Sequence, residues 1–274
     1  MAANPFLQLA APIAAEPWVE RLRVRPVFQP IVDLAAGQPL GYEVLSRGTP
    51  PYESPEAMFR QARREGFLWE LEQACRNAAI GRISELPLQR RGARFFLNVS
   101  PQILADPRFL AEITRNLRAS GLDPGRIVLE ITERDPIQNY ERFEALIRQT
   151  VAQGFQIALD DFGAGHSSLV TLVRCAPHYL KLDAEIVRDV DRAPYNQQLV
   201  KSLAAFAAGV EARLIAEGVE TWRELETLTS LGVRYVQGYL LARPAQEPAG
   251  LDAGIRERLG AASGAPPRLR AVSV

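Results

Sequence analysis

RIVLEITERDPIQNYERFEALIRQTVAQGFQIALD (126–160) contains one complete strand, helix and strand in succession. RIVLEIT and FQIALD are short apolar runs with the β-branched content of buried strands. Between them NYERFEALIRQTVAQG (139–154) has a helical period, starts behind Pro136 and ends at Gly154, a glycine suited to closing a helix. Two strands joined through such a crossover pair in parallel.

The same alternation extends in both directions. Apolar runs occur at RPVFQPIVDL (25–34), PLGYEVLSR (39–47), ARFFLNV (93–99), YLKLD (179–183), ARLIAEGV (212–219) and RYVQGY (234–239), which makes eight with the two above. SPEAMFRQARREGFLWELEQACRNAAIGRI (54–83) reads as one helix, with Ser54 before Pro55 and Glu56 as its start signal. Eight strand and helix units predict a TIM-like (β/α)8 barrel, an α/β fold. The first two runs are joined only by LAAGQP (34–39), too short for a parallel crossover, so that pair is predicted antiparallel. The barrel is expected over 22–258. Residues 1–21 read as an N-terminal tail or short helix near Glu16 to Leu22, and 259–274 as a flexible C-terminal tail. A chain of 274 residues accommodates this, since one α/β barrel takes about 200 to 250 residues.

Charge narrows the partners. Lys plus Arg is 32 and Asp plus Glu is 32, so no bulk charge holds the chain to a nucleic acid polymer or an anionic membrane. A phosphate ligand must be bound locally. Only two of the 32 bases are lysines, Lys181 and Lys201. Cys75 and Cys175 stand far apart with no His cluster, which argues against a disulfide framework or a zinc site. MAANPFLQLAAPIAAEP (1–17) has an apolar middle without a basic flank, and nothing later reaches 18 uncharged apolar residues, so a cytoplasmic protein without a membrane segment is expected.

Polar residues close the apolar runs in step: Asn98, Glu130, Asp160 with Asp161, Glu217 and Gln237, with Lys181 and Asp183 ending a sixth run and Glu43 inside the second. One such residue marks only where a strand leaves the core. Seven runs so marked converge on the C-terminal mouth of a parallel barrel, where barrel active sites are built. Carboxylates about 4 Å apart repel by about 1 kcal/mol per pair even in water, so Glu43, Glu130, Asp160, Asp161 and Glu217 call for a cation. All-oxygen donors, with an Asn98 carbonyl, select hard ions such as Mg²⁺, Mn²⁺ or Ca²⁺ over zinc. Adjacent Asp160 and Asp161 suit two ions, the arrangement that serves in-line displacement at phosphorus. Lys181, placed between Leu180 and Leu182 in an arginine-rich chain, offers a compact ammonium that guanidinium cannot replace; the simpler role is a structural pair with Asp183. DDFGAGHSSL (160–169) lacks the Lys-Ser/Thr of a phosphate loop and reads as a gating segment over the site.

These residues resemble the EAL-domain family of cyclic di-GMP phosphodiesterases. The resemblance is carried by QPIVDL (29–34), GYEVLSRG (41–48), NVSP (98–101), LEITE (129–133), DDFGAGHSSL (160–169), LKLD (180–183), AEGVE (216–220) and QGYLLARP (237–244). It implies that Glu43, Asn98, Glu130, Asp160, Asp161 and Glu217 bind two Mg²⁺ or Mn²⁺ ions and that Lys181 orients the attacking water. It further implies that Gln29, Arg47, Asp183, Gln237 and Pro244 contact substrate and that Glu133 and Glu220 anchor the loop at 162–168. The implied reaction is hydrolysis of cyclic di-GMP to linear pGpG, and the family's dimer interface near that loop implies a homodimer; Ca²⁺, larger and differently coordinated, is expected to be inhibitory. Three departures stand out: Val44 in the signature triplet, His166 where the family usually has Tyr, and a shortened segment after Arg47. None removes a ligand position. A catalytically silent cyclic di-GMP receptor would be expected to lack one, and an enolase-like lyase with one Mg²⁺ and Lys181 as base fits poorly with an antiparallel opening pair. On this accounting eight acids meet Arg47 and Lys181 at the mouth, which admits an anionic dinucleotide only once cations fill it.

Overall fold

The computed structural model describes residues 18–87, 90, 92–132, 137, 139–163 and 169–262. Strands β1 (Arg25–Asp33), β2 (Gln38–Arg47), β3 (Arg94–Val99), β4 (Ile127–Thr132), β5 (Gln156–Phe162), β6 (Tyr179–Leu182), β7 (Arg213–Ala216) and β8 (Tyr235–Val236) close into a barrel in chain order. β2 to β8 pair in parallel, and β1 runs antiparallel to β2 as its short turn requires. It is antiparallel to β8 as well, as closure of a barrel with one reversed strand requires. Asp33 explains both contacts. Its Oδ1 accepts from the backbone of Ala35 and Ala36 to tighten the turn, while Arg234 grips both its oxygens at 2.8 and 2.6 Å and ties that turn to β8.

Side chains alternate across a strand, and the barrel sorts them accordingly. Ile31, Phe96, Val128, Ala158, Tyr179, Ile215 and Tyr235 fill the interior as one apolar layer. Their neighbours, such as Phe95, Leu97, Leu129, Ile157, Leu180 and Leu214, point outward into the surrounding helices. Two positions further toward the mouth stand Asn98, Glu130, Asp160, Lys181, Glu217 and Gln237, with Gln29 on the reversed β1 paired to Glu43 on β2. The polar ring is therefore the next pleat above a dry layer.

Helices differ from expectation at two places. The stretch 54–83 is two helices, Pro55–Glu65 and Leu68–Glu85, because Gly66 takes a left-handed φ of 80° and ends the first. Ser54 caps that first helix by accepting from Ala57 N. The helix Ala253–Ala262 runs across position 258, and Leu259 is buried; residues 263–274 of the expected tail lie outside the described residues. At the other end the helix Trp18–Arg21 buries Val19 against Met58, Ala62 and Leu71. The helix Tyr140–Ala152 forms as its period predicts, capped by Asn139.

Candidate active site

Lys181 stands at the centre of the polar ring. Its Nζ lies 2.6 Å from Glu130 Oε1, 2.7 Å from Glu217 Oε1, 2.9 Å from Asp160 Oδ1 and 3.7 Å from Glu43 Oε2. These are ion-pair distances: among the described residues Glu130 Oε1 and Asp160 Oδ1 are buried without a hydrogen-bond partner. The structural pairing of Lys181 with Asp183 is not formed: Asp183 Oδ1 instead accepts from Glu185 N and caps the helix Ala184–Val187.

Glu43 is fixed from two sides. Gln237 Nε2 donates to its Oε2 at 2.6 Å and Asn98 Nδ2 donates to its Oε1 at 3.4 Å. Gln237 also donates to Gln29 Oε1, and Gln29 donates to Ala242 O, so β1, β2 and β8 hold this corner together. Asp160 and Asp161 are neighbours in β5, where a regular strand would point them to opposite faces. The β5 to β6 register shifts between Leu159 and Phe162, and Asp161 takes φ 55°. The bulge re-aims the pair, and oxygens of Asp160, Asp161 and Glu217 come within 4.8 Å of one another.

Electrostatics mark the ring as a cation site. Burial raises the Glu130 carboxyl well above the usual range, and Glu43 and Asp160 add to this against the pull of Lys181. Burial likewise raises Glu217, with Asp160 and Glu43 adding to it. For Lys181 burial works toward neutrality, but Asp160, Glu130, Glu217 and Glu43 together hold the ammonium well above its ordinary value. Buried carboxylates thus outnumber their one ammonium. Glu130 Oε2 is buried without a hydrogen-bond partner among the described residues, an acceptor suited to an ion.

Two cavities open from the ring. The larger, about 640 Å³, runs from Glu43, Asn98, Asp160 and Asp161 to Phe59, Arg60 and Arg63 on the helix Pro55–Glu65. The smaller, about 300 Å³, is lined by Gln29, Glu43, Glu217, Glu220, Gln237 and Tyr239.

A model described as the EAL domain matches residues 14–244. The chain belongs to the EAL domain family. Among its relatives, the probable cyclic di-GMP phosphodiesterase PdeN of Escherichia coli K12 is 31% identical over 230 residues, covering 82% of this chain and 44% of PdeN. Among solved structures, a manganese and cyclic di-GMP complex of Klebsiella pneumoniae BlrP1 superposes with TM-score 0.74 at 29% identity, over 86% of this chain and 63% of that one. The cyclic di-GMP-bound form of a standalone EAL protein from Vibrio cholerae O395 gives TM-score 0.76 at 26% identity, over 85% of this chain and 98% of that one. This EAL chain spans less than half the length of PdeN.

Within the EAL site, Glu43, Asn98, Glu130, Asp160, Asp161, Lys181 and Glu217 are brought together, with Gln29 and Gln237 beside them. Glu220 lines the smaller cavity. Arg47 and Pro244 line neither cavity; Arg47 donates to Ser46 O, and Pro244 precedes Ala245, which pairs with Phe28. Glu133 and His166 lie outside the described residues. Sequence reasoning missed Glu72, whose carboxylate accepts from Ser100 N, and its partner Arg76, which also meets Glu112 at 3.3 Å. Burial raises Glu72 to about 7 against the pull of Ser100 and Arg76. A Glu and an Arg four apart within an apolar helix stripe were the available signal.

Proposed function

We propose that this chain hydrolyses one 3′–5′ phosphodiester of cyclic di-GMP to linear pGpG, using two divalent ions, Mg²⁺ or Mn²⁺. The observation that carries this is the ring of carboxylates at the barrel mouth, Glu43, Glu130, Asp160 and Glu217 around the Lys181 ammonium with Asp161 beside Asp160 and Glu217. The donor set fits hard cations: all oxygens, with Glu130 Oε2 unpartnered. Asp160, Asp161, Glu217, Glu43, Glu130 and Asn98 would hold the ions. Bound there, divalent ions supply charge for the phosphoryl oxygens and acidity for a water.

The chain's own groups do the rest. Glu43, pinned between Gln237 and Asn98, keeps its lone pairs aimed into the mouth. Lys181, held among Glu130, Glu217 and Asp160, orients the attacking water toward phosphorus. Water oxygen bonds to phosphorus, the P–O3′ bond breaks, and the water's proton ends on O3′. The two cavities flanking Glu43 receive the two halves of the dinucleotide. Arg47, Asp183 and Pro244 remain substrate contacts in this reading, reached when the ligand enters, and Glu133 and Glu220 anchor the 162–168 loop.

A homodimer belongs to the same reading. It is supported by Tyr195, Leu199, Phe206 and Val210, exposed along the helix Pro194–Gly209 and its end, and by exposed Leu169, Val170 and Val173; sedimentation would test it. Incubation with cyclic di-GMP and Mn²⁺, read by chromatography, is expected to yield pGpG. Glu43→Ala and Lys181→Ala are expected to abolish it. Binding without cleavage by the wild type would make the chain a receptor.

A further inference from the structure

We propose that Arg60 and Arg63 bind the second, uncleaved phosphate of the cyclic dinucleotide. This rests on the function proposed above. A cyclic dinucleotide carries two phosphodiesters on opposite sides of one macrocycle, so seating one at the carboxylate ring leaves the other displaced across the cavity. The ring has no charge to offer it, and Arg47, the other cation proposed to touch substrate, lines neither cavity. Five carboxylates against Lys181 leave four negative charges, which two divalent ions cancel and no more, and Lys181 is already engaged by Glu130, Glu217 and Asp160.

The helical part of the larger cavity's lining supplies what the ring lacks. On the helix Pro55–Glu65, Met58 and Ala62 face the core, while Glu56, Phe59, Arg60 and Arg63 line the cavity at i, i+3, i+4 and i+7. Arg60 and Arg63 are exposed and sit in the same space as Asn98, Asp160 and Asp161. A guanidinium presents a planar fork of donors that matches phosphate oxygens two at a time. Gly66 and Phe67 end this helix against its neighbour, and Met58, Ala62, Val19 and Leu71 fix it from behind, so the two arginines project from a rigid wall.

The test compares two substrates in the full chain. Arg60→Ala, Arg63→Ala and the double variant are assayed with cyclic di-GMP and with bis(4-nitrophenyl) phosphate, which has one phosphodiester and nothing to place against the helix. For cyclic di-GMP, KM is expected to rise about tenfold per arginine with kcat nearly kept, and Arg63→Lys to recover part of the loss. The ratio of rates on the two substrates is expected to fall accordingly. Unchanged KM for cyclic di-GMP, or equal losses on both substrates, would overturn the assignment. Should the wild type cleave neither, the hydrolase reading fails by itself. The dissociation constants for cyclic di-GMP, read by calorimetry, then decide the arginines: a tenfold weakening supports them and no change rejects them.

Discussion

The Lys181 ammonium lies 2.6 Å from Glu130 Oε1, and neither side chain reaches solvent: they are 1% and 0% exposed. Such a pair at the base of the mouth repays desolvation only while both members are present. Lys181→Met strands Glu130, with Asp160 and Glu217 beside it, and is expected to cost about 3 to 5 kcal/mol in chemical denaturation under chelator. Adding Glu130→Gln to Lys181→Met removes the stranded charge, so the double variant is expected to recover part of that loss. Additive losses would show that the two groups are not coupled.

A pH effect follows from Glu72, raised to about 7 by burial against the opposing pull of Ser100 and Arg76. Its folded value lies above the unfolded carboxylate value of 4.5, so the folded chain binds the proton more readily and stability falls as pH rises between those two values. A shift of this size corresponds to about 3 kcal/mol. Glu72→Gln cannot titrate, and its melting temperature is expected to decline less than the wild type's from pH 5 to pH 8. Parallel curves would remove Glu72 as the cause.

Chelation separates metal dependence from fold. Removing divalent ions is expected to abolish phosphodiester cleavage and leave the circular dichroism spectrum in place, because the barrel core holds without the ring. Mg²⁺ or Mn²⁺ should restore turnover, and excess Ca²⁺, larger and differently coordinated, should suppress it. Asp160→Asn and Glu217→Gln are expected to lose most of that restoration. Full activity under chelator would rule out the two-ion mechanism.

How much was visible in the residues follows from which regularities act locally. The polar ends of the runs made the ring itself legible, whereas the apolar layer one pleat below it, Phe96, Val128 and Tyr179, became visible only in the closed barrel. Four further features were not legible. The bulge that turns Asp160 and Asp161 to one side is a register shift against β6, and register is a property of two strands. The tie of Arg234 to Asp33, which braces β1 against β8, spans 201 positions. Asp183 offered itself as a partner for Lys181, yet its carboxylate serves a backbone cap. The helix break at Gly66 was hidden by an apolar period that continues on both sides of it.

Gly238 offers a test of positioning that changes no charge. A Cβ at this position would stand 2.0 Å from Val219 O and 2.3 Å from Val219 N. Both contacts are with backbone that cannot swing away. Val219 N donates to Gln237 O and Val219 O accepts from Leu240 N, so the two segments are already laced together. Gly238→Ala must push them apart by about 1 Å, at a cost of about 1 to 3 kcal/mol for overpacking. The displaced segments carry Glu217 on one side and Gln237 on the other, and Gln237 is what pins Glu43. Misplacement by about 1 Å in such a constellation lowers turnover by about 100-fold. The variant is therefore expected to fold with a lower melting temperature, keep every carboxylate of the ring, and lose kcat far more than the stability change alone would explain. Wild-type kcat in a folded Gly238→Ala protein would show that the β7 and β8 ends do not set the position of Glu217 and Glu43.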